Sequence, residues 1–167
     1  MTPRSGRYQL RDAVAGDAAE IRLVVASVMA EYGLASDLVG NDADLQDVVS
    51  NYSARGGAFR VVTSDGGEIV GCGGLYPIDE HDAEIRRMYF LPEARGLGLG
   101  RKMLEELIAL ANERRFERIV LETASILKGA IALYRKHGFV QVPRERPGIR
   151  QCDQAYILEL APENKHS

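Results

Sequence analysis

The chain has 167 residues, of which 46% are hydrophobic, enough to fill the core of one domain. Its 21 basic and 24 acidic side chains give a formal net charge of −3, which indicates neither a nucleic-acid footprint nor a membrane-seeking basic patch. The apolar run at Leu23 to Ala30 is too short to span a bilayer, and Met1 to Leu10 lacks the apolar core of a signal peptide. We therefore expect one cytoplasmic domain over 1–167, with frayed tails at 1–6 and 161–167, whose partners are small molecules or other proteins.

Cysteine and histidine give no framework for a disulfide or a metal site. Cys72 and Cys152 are the only cysteines and lie far apart in the sequence, so we expect both to be reduced. The three histidines are scattered without the spacing of metal ligands. No metal is therefore expected.

In the N-terminal half, apolar periodicity and turn residues mark helices first and a pair of strands afterwards. Asp17, followed three residues later by Glu20, is typical of a capping box, and Gly33 fits a helix C-cap. Asp65 and two glycines after it are typical of a hairpin turn. In chain order we predict a strand at Tyr8 to Arg11, a helix between Asp17 and Gly33, a weaker helix at Asp42 to Tyr52, and strands at Ala58 to Thr63 and Glu68 to Pro77.

The C-terminal half contains the clearest amphipathic helix, in which Leu99, Met103, Leu107 and Leu110 repeat at helical spacing. In chain order we predict a strand at Ala83 to Leu91, that helix, a buried strand at Arg118 to Thr123, a helix at Leu127 to Lys136, and strands at Phe139 to Val142 and Gln154 to Leu160. About seven strands and four helices in this order predict an α/β fold around one mixed sheet.

The most informative segment is the glycine-rich loop, Arg95-Gly-Leu-Gly-Leu-Gly-Arg-Lys102, between a strand and the amphipathic helix. Glycines let a backbone turn tightly and approach a ligand, and the unpaired N–H groups that begin a helix suit an anion. A Walker loop needs Gly-Lys-Ser/Thr, which is absent, and a Rossmann fingerprint needs glycine where Arg101 stands. The loop therefore predicts a pyrophosphate site of another kind.

Arg95-x-x-Gly98-x-Gly100 resembles the acyl-CoA signature of the GNAT superfamily of N-acyltransferases, Gln/Arg-x-x-Gly-x-Gly/Ala. The segment Ala130 to Phe139 is similar to a second family pattern, Ala-x-x-Leu-Tyr-x-x-x-Gly-Phe, although Leu127 stands where members often carry asparagine. The predicted element order also matches the GNAT topology. The resemblance implies a single GNAT-like domain with acetyl-CoA as co-substrate.

In this family the cofactor lies where two parallel strands splay apart, here Ile85 to Leu91 and Ile119 to Thr123. The resemblance implies that the main chain of Met88, Tyr89 and Phe90 binds the pantetheine amides. A buried backbone group needs some partner in any case. A solvated role for Arg101 and Lys102 stays open. The residues implied to hold the pyrophosphate are Arg95, Gly96, Leu97, Gly98, Leu99, Gly100, Arg101 and Lys102.

Two residues are implied to carry the chemistry, in a direct attack of the amine on the thioester within a ternary complex. Tyr134 would protonate the departing thiolate, although its place in an apolar helical stripe is also typical of a core tyrosine. Glu84, eleven residues before Arg95, matches the interval to the catalytic glutamate of histone-acetylating members and would act as base through water. An ion pair between Glu84 and Arg86 is the alternative.

The resemblance implies an amine acceptor, and the arginines within 143–150 suggest that it carries a carboxylate, as an acidic amino acid does, although solvated loop charges explain the same arginines. Arg86 and Arg87 should occupy opposite strand faces, so one of them at most would face the acceptor. Arg146 lies in an arginine-rich segment where members often build an acceptor wall, and Tyr32 is a further candidate. Protein or peptide acceptors, a non-catalytic acyl-CoA-binding protein and a homodimer stay open.

Overall fold

The computed structural model describes residues 7–34, 43–144 and 152–160. Within these ranges, one α/β domain contains seven strands and four helices. The strands are β1 (Gln9–Asp12), β2 (Ala58–Thr63), β3 (Ile69–Pro77), β4 (Asp82–Phe90), β5 (Arg118–Thr123), β6 (Val140–Val142) and β7 (Gln154–Glu159). The helices are α1 (Ala18–Glu31), α2 (Val48–Asn51), α3 (Leu99–Glu113) and α4 (Lys128–Lys136). The expected fold class is therefore confirmed, while both predicted tails lie outside the described residues.

The strands form one mixed sheet in the order β1-β2-β3-β4-β5-β7-β6. Every neighbouring pair is antiparallel except β4 and β5, which run parallel. A parallel pair needs a crossover between its strands, and α3 supplies it. The glycine-rich loop is the connection from β4 into that crossover helix.

Two hydrophobic clusters lie on opposite faces of the sheet. The larger one packs α3 and α4 against the sheet, with Met103, Leu104 and Leu107 fully buried. The smaller one packs α1 and the residues around α2 on the other face, with Ile21 and Tyr52 fully buried. Because both faces are covered, β3 is buried along most of its length.

The start of α1 differs from the prediction. Asp17 does not cap the helix, because its carboxylate accepts hydrogen bonds from the Arg11 guanidinium at 2.7 and 3.1 Å and from the Val14 N–H at 2.8 Å. Glu20 instead accepts a hydrogen bond from the N–H of Ile69 at 3.2 Å. The Asp17 carboxylate thus caps the 3-10 turn that precedes α1, through Val14, while Glu20 bonds to β3. Neither carboxylate forms the capping box that the spacing predicts for α1.

The second predicted helix is also shorter than expected. A 3-10 turn at Ala43–Gln46 is followed by α2, which begins after Asp47. The carboxylate of Asp47 accepts a hydrogen bond from the N–H of Ser50 at 3.0 Å, so Asp47 acts as an N-cap and starts a new helix. Asp42, the first residue of the prediction, lies outside the described residues.

Candidate active site

The cleft opens where β4 and β5 stop pairing. Only the pairs Asp82 with Arg118, Ala83 with Ile119 and Glu84 with Val120 join the two strands. Beyond Glu84, residues 85–90 of β4 have no pairing partner on β5. The ladder between the two strands therefore ends before the segment where the sequence analysis expects Met88, Tyr89 and Phe90 to bind the pantetheine amides.

A β-bulge shapes the β4 side of the cleft. Cys72 and Gly74 of β3 pair with Tyr89 and Arg86, so Arg87 and Met88 together stand opposite the single residue Gly73. Arg87 has φ +60°, a left-handed conformation that is uncommon for any residue but glycine. The bulge re-aims the side chains that follow it.

The glycine-rich loop turns from the end of β4 into α3. Gly96 and Gly98 have φ of +76° and +80°, conformations that glycine adopts without strain. The first intrahelical hydrogen bond runs from the N–H of Lys102 to the carbonyl of Gly98 at 3.0 Å. The N–H groups of Leu99, Gly100 and Arg101 therefore have no acceptor within the helix, and the positive end of its dipole lies there. This geometry fits a diphosphate.

Arg95 is held by protein groups. Its two terminal nitrogens donate to the two carboxylate oxygens of Glu31 at 2.7 Å each, and its Nε donates to the carbonyl of Phe90 at 2.9 Å. The other cations of the loop are exposed, and Arg101 lies 3.7 Å from Glu105 one turn along α3. The Tyr32 ring lies 5.8 Å from the Arg95 guanidinium, at the end of α1.

Tyr134 points from α4 into the large cluster and is 5% exposed. Its ring centroid lies 5.7 Å from that of Phe139. Burial raises the pKa of Tyr134, and Tyr89 and Cys152 raise it further. The phenol is therefore protonated throughout the physiological pH range.

Glu84 is buried at the last paired position of β4 and forms the ion pair that the sequence offered as an alternative. The Nε of Arg86 donates to Oε1 of Glu84 at 2.7 Å. The Arg86 guanidinium also lies 3.8 Å from the centroid of the Tyr76 ring, and the Arg55 guanidinium lies 4.7 Å from the same centroid. Arg86 is thus fixed in place by an ion pair and a cation–π contact.

The expectation that Arg86 and Arg87 face opposite sides of the sheet is wrong. Arg87 pairs with Asp44 through Nε at 3.2 Å and a terminal nitrogen at 2.7 Å, and the Tyr52 hydroxyl also donates to Asp44. The Tyr52 ring contacts that of Tyr76, with centroids 5.5 Å apart, so both arginines reach one cluster. The bulge at Arg87 breaks the alternation on which the expectation relied.

Residues that the sequence analysis did not select also lie at the cleft. Glu122 stands two residues past Val120 on β5, on the same face as Glu84. Arg144 approaches it to 3.7 Å. Burial and the Glu122 carboxylate raise the pKa of the Cys152 thiol. The Glu84 carboxylate also raises this pKa, and the Arg87 guanidinium lowers it. Alternation along β5 could have found Glu122. Arg146 lies outside the described residues.

Comparisons with known proteins agree with this geometry. The model of the acetyltransferase (GNAT) family matches residues 25–139. An uncharacterized N-acetyltransferase, YjgM of Escherichia coli (strain K12), is 38% identical over 147 residues, which cover 84% of this chain and 87% of that protein. An IAA acetyltransferase of Azospirillum brasilense is 38% identical over 81 residues, covering 47% of this chain and 52% of that protein.

Solved structures share the fold. A GNAT-family acetyltransferase from Staphylococcus aureus Mu50 superposes with a TM-score of 0.86 at 22% identity, covering 92% of this chain and 99% of that one. A phosphinothricin acetyltransferase from Sinorhizobium meliloti, solved with acetyl-CoA, has a TM-score of 0.73 at 22% identity and covers 92% and 89%.

The splayed strands, the glycine-rich loop and the α3 N-terminus define an acyl-CoA-dependent acyltransferase fold. The chain belongs to the acetyltransferase (GNAT) family and is an acetyl-CoA-dependent N-acetyltransferase. Among the described residues, no helix is long and apolar enough to cross a membrane.

Proposed function

We propose that this chain transfers an acetyl group from acetyl-CoA to the primary amine of a small molecule that carries a carboxylate, such as an acidic amino acid. The observation that carries the proposal is the set of hydrogen bonds that the Arg86 guanidinium makes. Only its Nε is engaged, by Glu84, and no acceptor within 7–34, 43–144 and 152–160 binds its two terminal nitrogens. These nitrogens present a fork of N–H donors that suits a carboxylate bidentately.

Arg87 differs from Arg86 in a way that supports this choice. Its guanidinium is 10% exposed and already engages the Asp44 carboxylate with two nitrogens. The Arg86 side chain is 30% exposed and is held against the Tyr76 ring. We therefore assign the acceptor carboxylate to Arg86 and a structural role to Arg87, which fixes the bulge beside it.

The reaction requires a neutral amine, a tetrahedral intermediate and a protonated leaving group. For a lysine-like amine of pKa ~10.4, deprotonation at pH 7 costs about 4.6 kcal/mol, whereas for an α-amine near ~7.8 it costs about 1 kcal/mol, so a base matters more for the first kind of acceptor. Glu84 takes the proton through water, the amine nitrogen bonds to the thioester carbon, and the C–S bond breaks. Tyr134 donates its phenolic proton to the sulfur and regains one from solvent. A backbone N–H near Met88 to Phe90 stabilises the oxyanion.

The glycine-rich loop binds the diphosphate of acetyl-CoA with the N–H groups of residues 99–101. Main-chain groups of Met88, Tyr89 and Phe90 bind the pantetheine amides. The splay of β4 from β5 and the unpaired helix N–H groups support both assignments. The proposal includes a cytoplasmic location and leaves a homodimer as a prediction.

Acetyl-CoA turnover over a matched panel of amines tests the acceptor class. The panel pairs each acidic amino acid with its amide, and adds carboxylate-free amines and short peptides. We expect Arg86→Met to lower kcat/KM about 10- to 100-fold more for carboxylate-bearing acceptors than for carboxylate-free amines, which is the worth of a charge-assisted bidentate contact. On carboxylate-free amines the variant acts only by removing the ion-pair partner of Glu84. Asp65→Asn, which breaks the exposed pair with Arg7 far from the cleft, is the control.

A preference for peptides over free amines would refute the small-molecule acceptor. Acetyl-CoA binding without consumption by any amine would indicate a non-catalytic acyl-CoA-binding protein instead. Glu122, on the same face of the sheet as Glu84, is the second carboxylate that could act as base, and Glu84→Gln and Glu122→Gln separate the two. If Glu84 is the base, only its variant lowers kcat, while a loss confined to Glu122→Gln would move that role across the cleft.

A further inference from the structure

Arg95 opens the glycine-rich loop, yet its side chain binds the end of α1 and the end of β4. Three of its five N–H donors are committed, two to Glu31 and one to the Phe90 carbonyl. The Glu31 pair is bidentate, with both N···O distances at 2.7 Å. The two residues are 64 positions apart in sequence and join the C-terminal end of α1 to the loop.

The loop needs such an anchor. Gly96 and Gly98 both have positive φ, and a Cβ at Gly96 would meet nothing within 4 Å. Glycines in open surroundings leave the backbone free to take other conformations, so the loop itself does little to fix its own shape. A guanidinium tied to β4 and to α1 at the same time restricts the residue from which the loop departs.

The positive charge of Arg95 is also neutralised by a carboxylate. Its guanidinium lies against a carboxylate, and the Arg95 hydrogen bond lowers the pKa of Glu31 below its usual value. Glu31 is therefore ionised at neutral pH and neutralises the cation. A diphosphate would have to compete with this carboxylate for the same two nitrogens.

We propose that Glu31 and Arg95 form a clamp that positions the loop for the acetyl-CoA diphosphate, and that Arg95 is a positioning residue that does not touch the phosphates. The clamp makes Glu31, a residue of α1, a determinant of cofactor affinity. This inference rests on the proposed role of the loop as the diphosphate site, but not on the identity of the acceptor.

Calorimetric titration of the purified protein with acetyl-CoA tests the clamp without any acceptor. Glu31→Gln separates the two roles of Arg95 by the sign of its effect. Loss of the clamp should raise the Kd about fivefold, as expected for a partly exposed charge-assisted pair. If Arg95 bound the phosphates directly, freeing it from Glu31 would leave the Kd unchanged or lower it.

A double-mutant cycle completes the test. Arg95→Met should weaken binding by about the same factor as Glu31→Gln, and the double variant should be no weaker than either single one. Glu31→Asp keeps the charge and should recover part of the affinity, and Asp65→Asn controls for loss of an exposed ion pair elsewhere. Thermal unfolding without ligand identifies variants whose folding has failed, and Glu31→Asp then supplies the measurement.

The outcomes separate this inference from the role of the loop. Wild-type protein that does not bind acetyl-CoA would overturn the diphosphate site and the clamp with it. Wild-type binding with an unchanged or lower Kd for Glu31→Gln would overturn the clamp alone. Additive losses in the double variant would also reject it, because they would show that the two side chains act independently.

Discussion

Removal of a single N–H group tests whether the first turn of α3 binds the diphosphate. Gly100 is the second residue of α3, and its N–H has no acceptor inside the helix because the first intrahelical donor is Lys102. Proline at this position keeps the helix, since the first turn tolerates it, and removes the donor. Gly100→Ala is the matched control, because it adds a side-chain carbon and keeps the N–H.

The structure has room for the Cβ that both variants add. A Cβ at position 100 would lie 3.6 Å from Leu133 Cδ2 and 3.7 Å from Phe90 Cε1, which are ordinary van der Waals contacts. A hydrogen bond to a charged group contributes about 1.5–3 kcal/mol, so its loss should weaken acetyl-CoA binding about 10- to 100-fold in Gly100→Pro relative to Gly100→Ala.

Calorimetry with acetyl-CoA measures the effect, and thermal unfolding without ligand checks that both proteins fold. Acetyl-pantetheine, which lacks the diphosphate, should bind the two variants equally. Kd values for acetyl-CoA that agree within about twofold between the two variants would show that this N–H does not meet the phosphates, and the assignment of the loop would be wrong.

Three further predictions concern the chemistry and stability of the domain. Tyr134→Phe should lower kcat at least tenfold with little change in the Kd of acetyl-CoA, because general acid catalysis contributes about 10²–10⁴-fold. An unchanged rate under single-turnover conditions would show that Tyr134 is not the general acid. The Arg11 guanidinium lowers the pKa of Asp17, so this carboxylate stabilises the fold above its ordinary pKa and the contribution disappears as the pH falls through the lowered value. Urea unfolding of Asp17→Asn should therefore show less loss of stability on acidification than wild type, and parallel losses would contradict the ion pair. Leu107→Ala should cost about 2–5 kcal/mol of unfolding free energy, because Leu107 is fully buried, and a loss below about 1 kcal/mol would mean that the site refills.

The sequence predicted correctly those features that depend on residues close together in the chain. Periodicity predicted β2 and β5 at their observed bounds, and α3 from its apolar stripe. The glycines of the loop were informative because positive φ at Gly96 and Gly98 is a requirement of the backbone itself. These features depend on neighbours a few residues away.

Contacts between distant segments were not predictable in the same way. Arg87 pairs with Asp44 across 43 positions, and no pattern around either residue indicates the other. The bulge at Arg87 depends on how β3 and β4 fit together, so strand alternation gave the wrong face for one arginine. The capping box at Asp17 failed only in part for this reason. The distant Ile69 N–H binds Glu20, but the Asp17 carboxylate is held by the nearby Arg11 guanidinium and Val14 N–H.

The short paired stretch between β4 and β5, here called the seam, affects how the molecule transmits force. The sheet consists of one group of four strands, β1 to β4, and another of three, β5 to β7. Three residue pairs between β4 and β5 join the two groups. The large apolar cluster spans that seam, with Ile85 on one side, Ile119 on the other and Met103 of α3 among them. Rigidity across the cleft therefore comes from side-chain packing beneath it more than from the sheet. A cavity under α3 would weaken acetyl-CoA binding before it unfolds the domain.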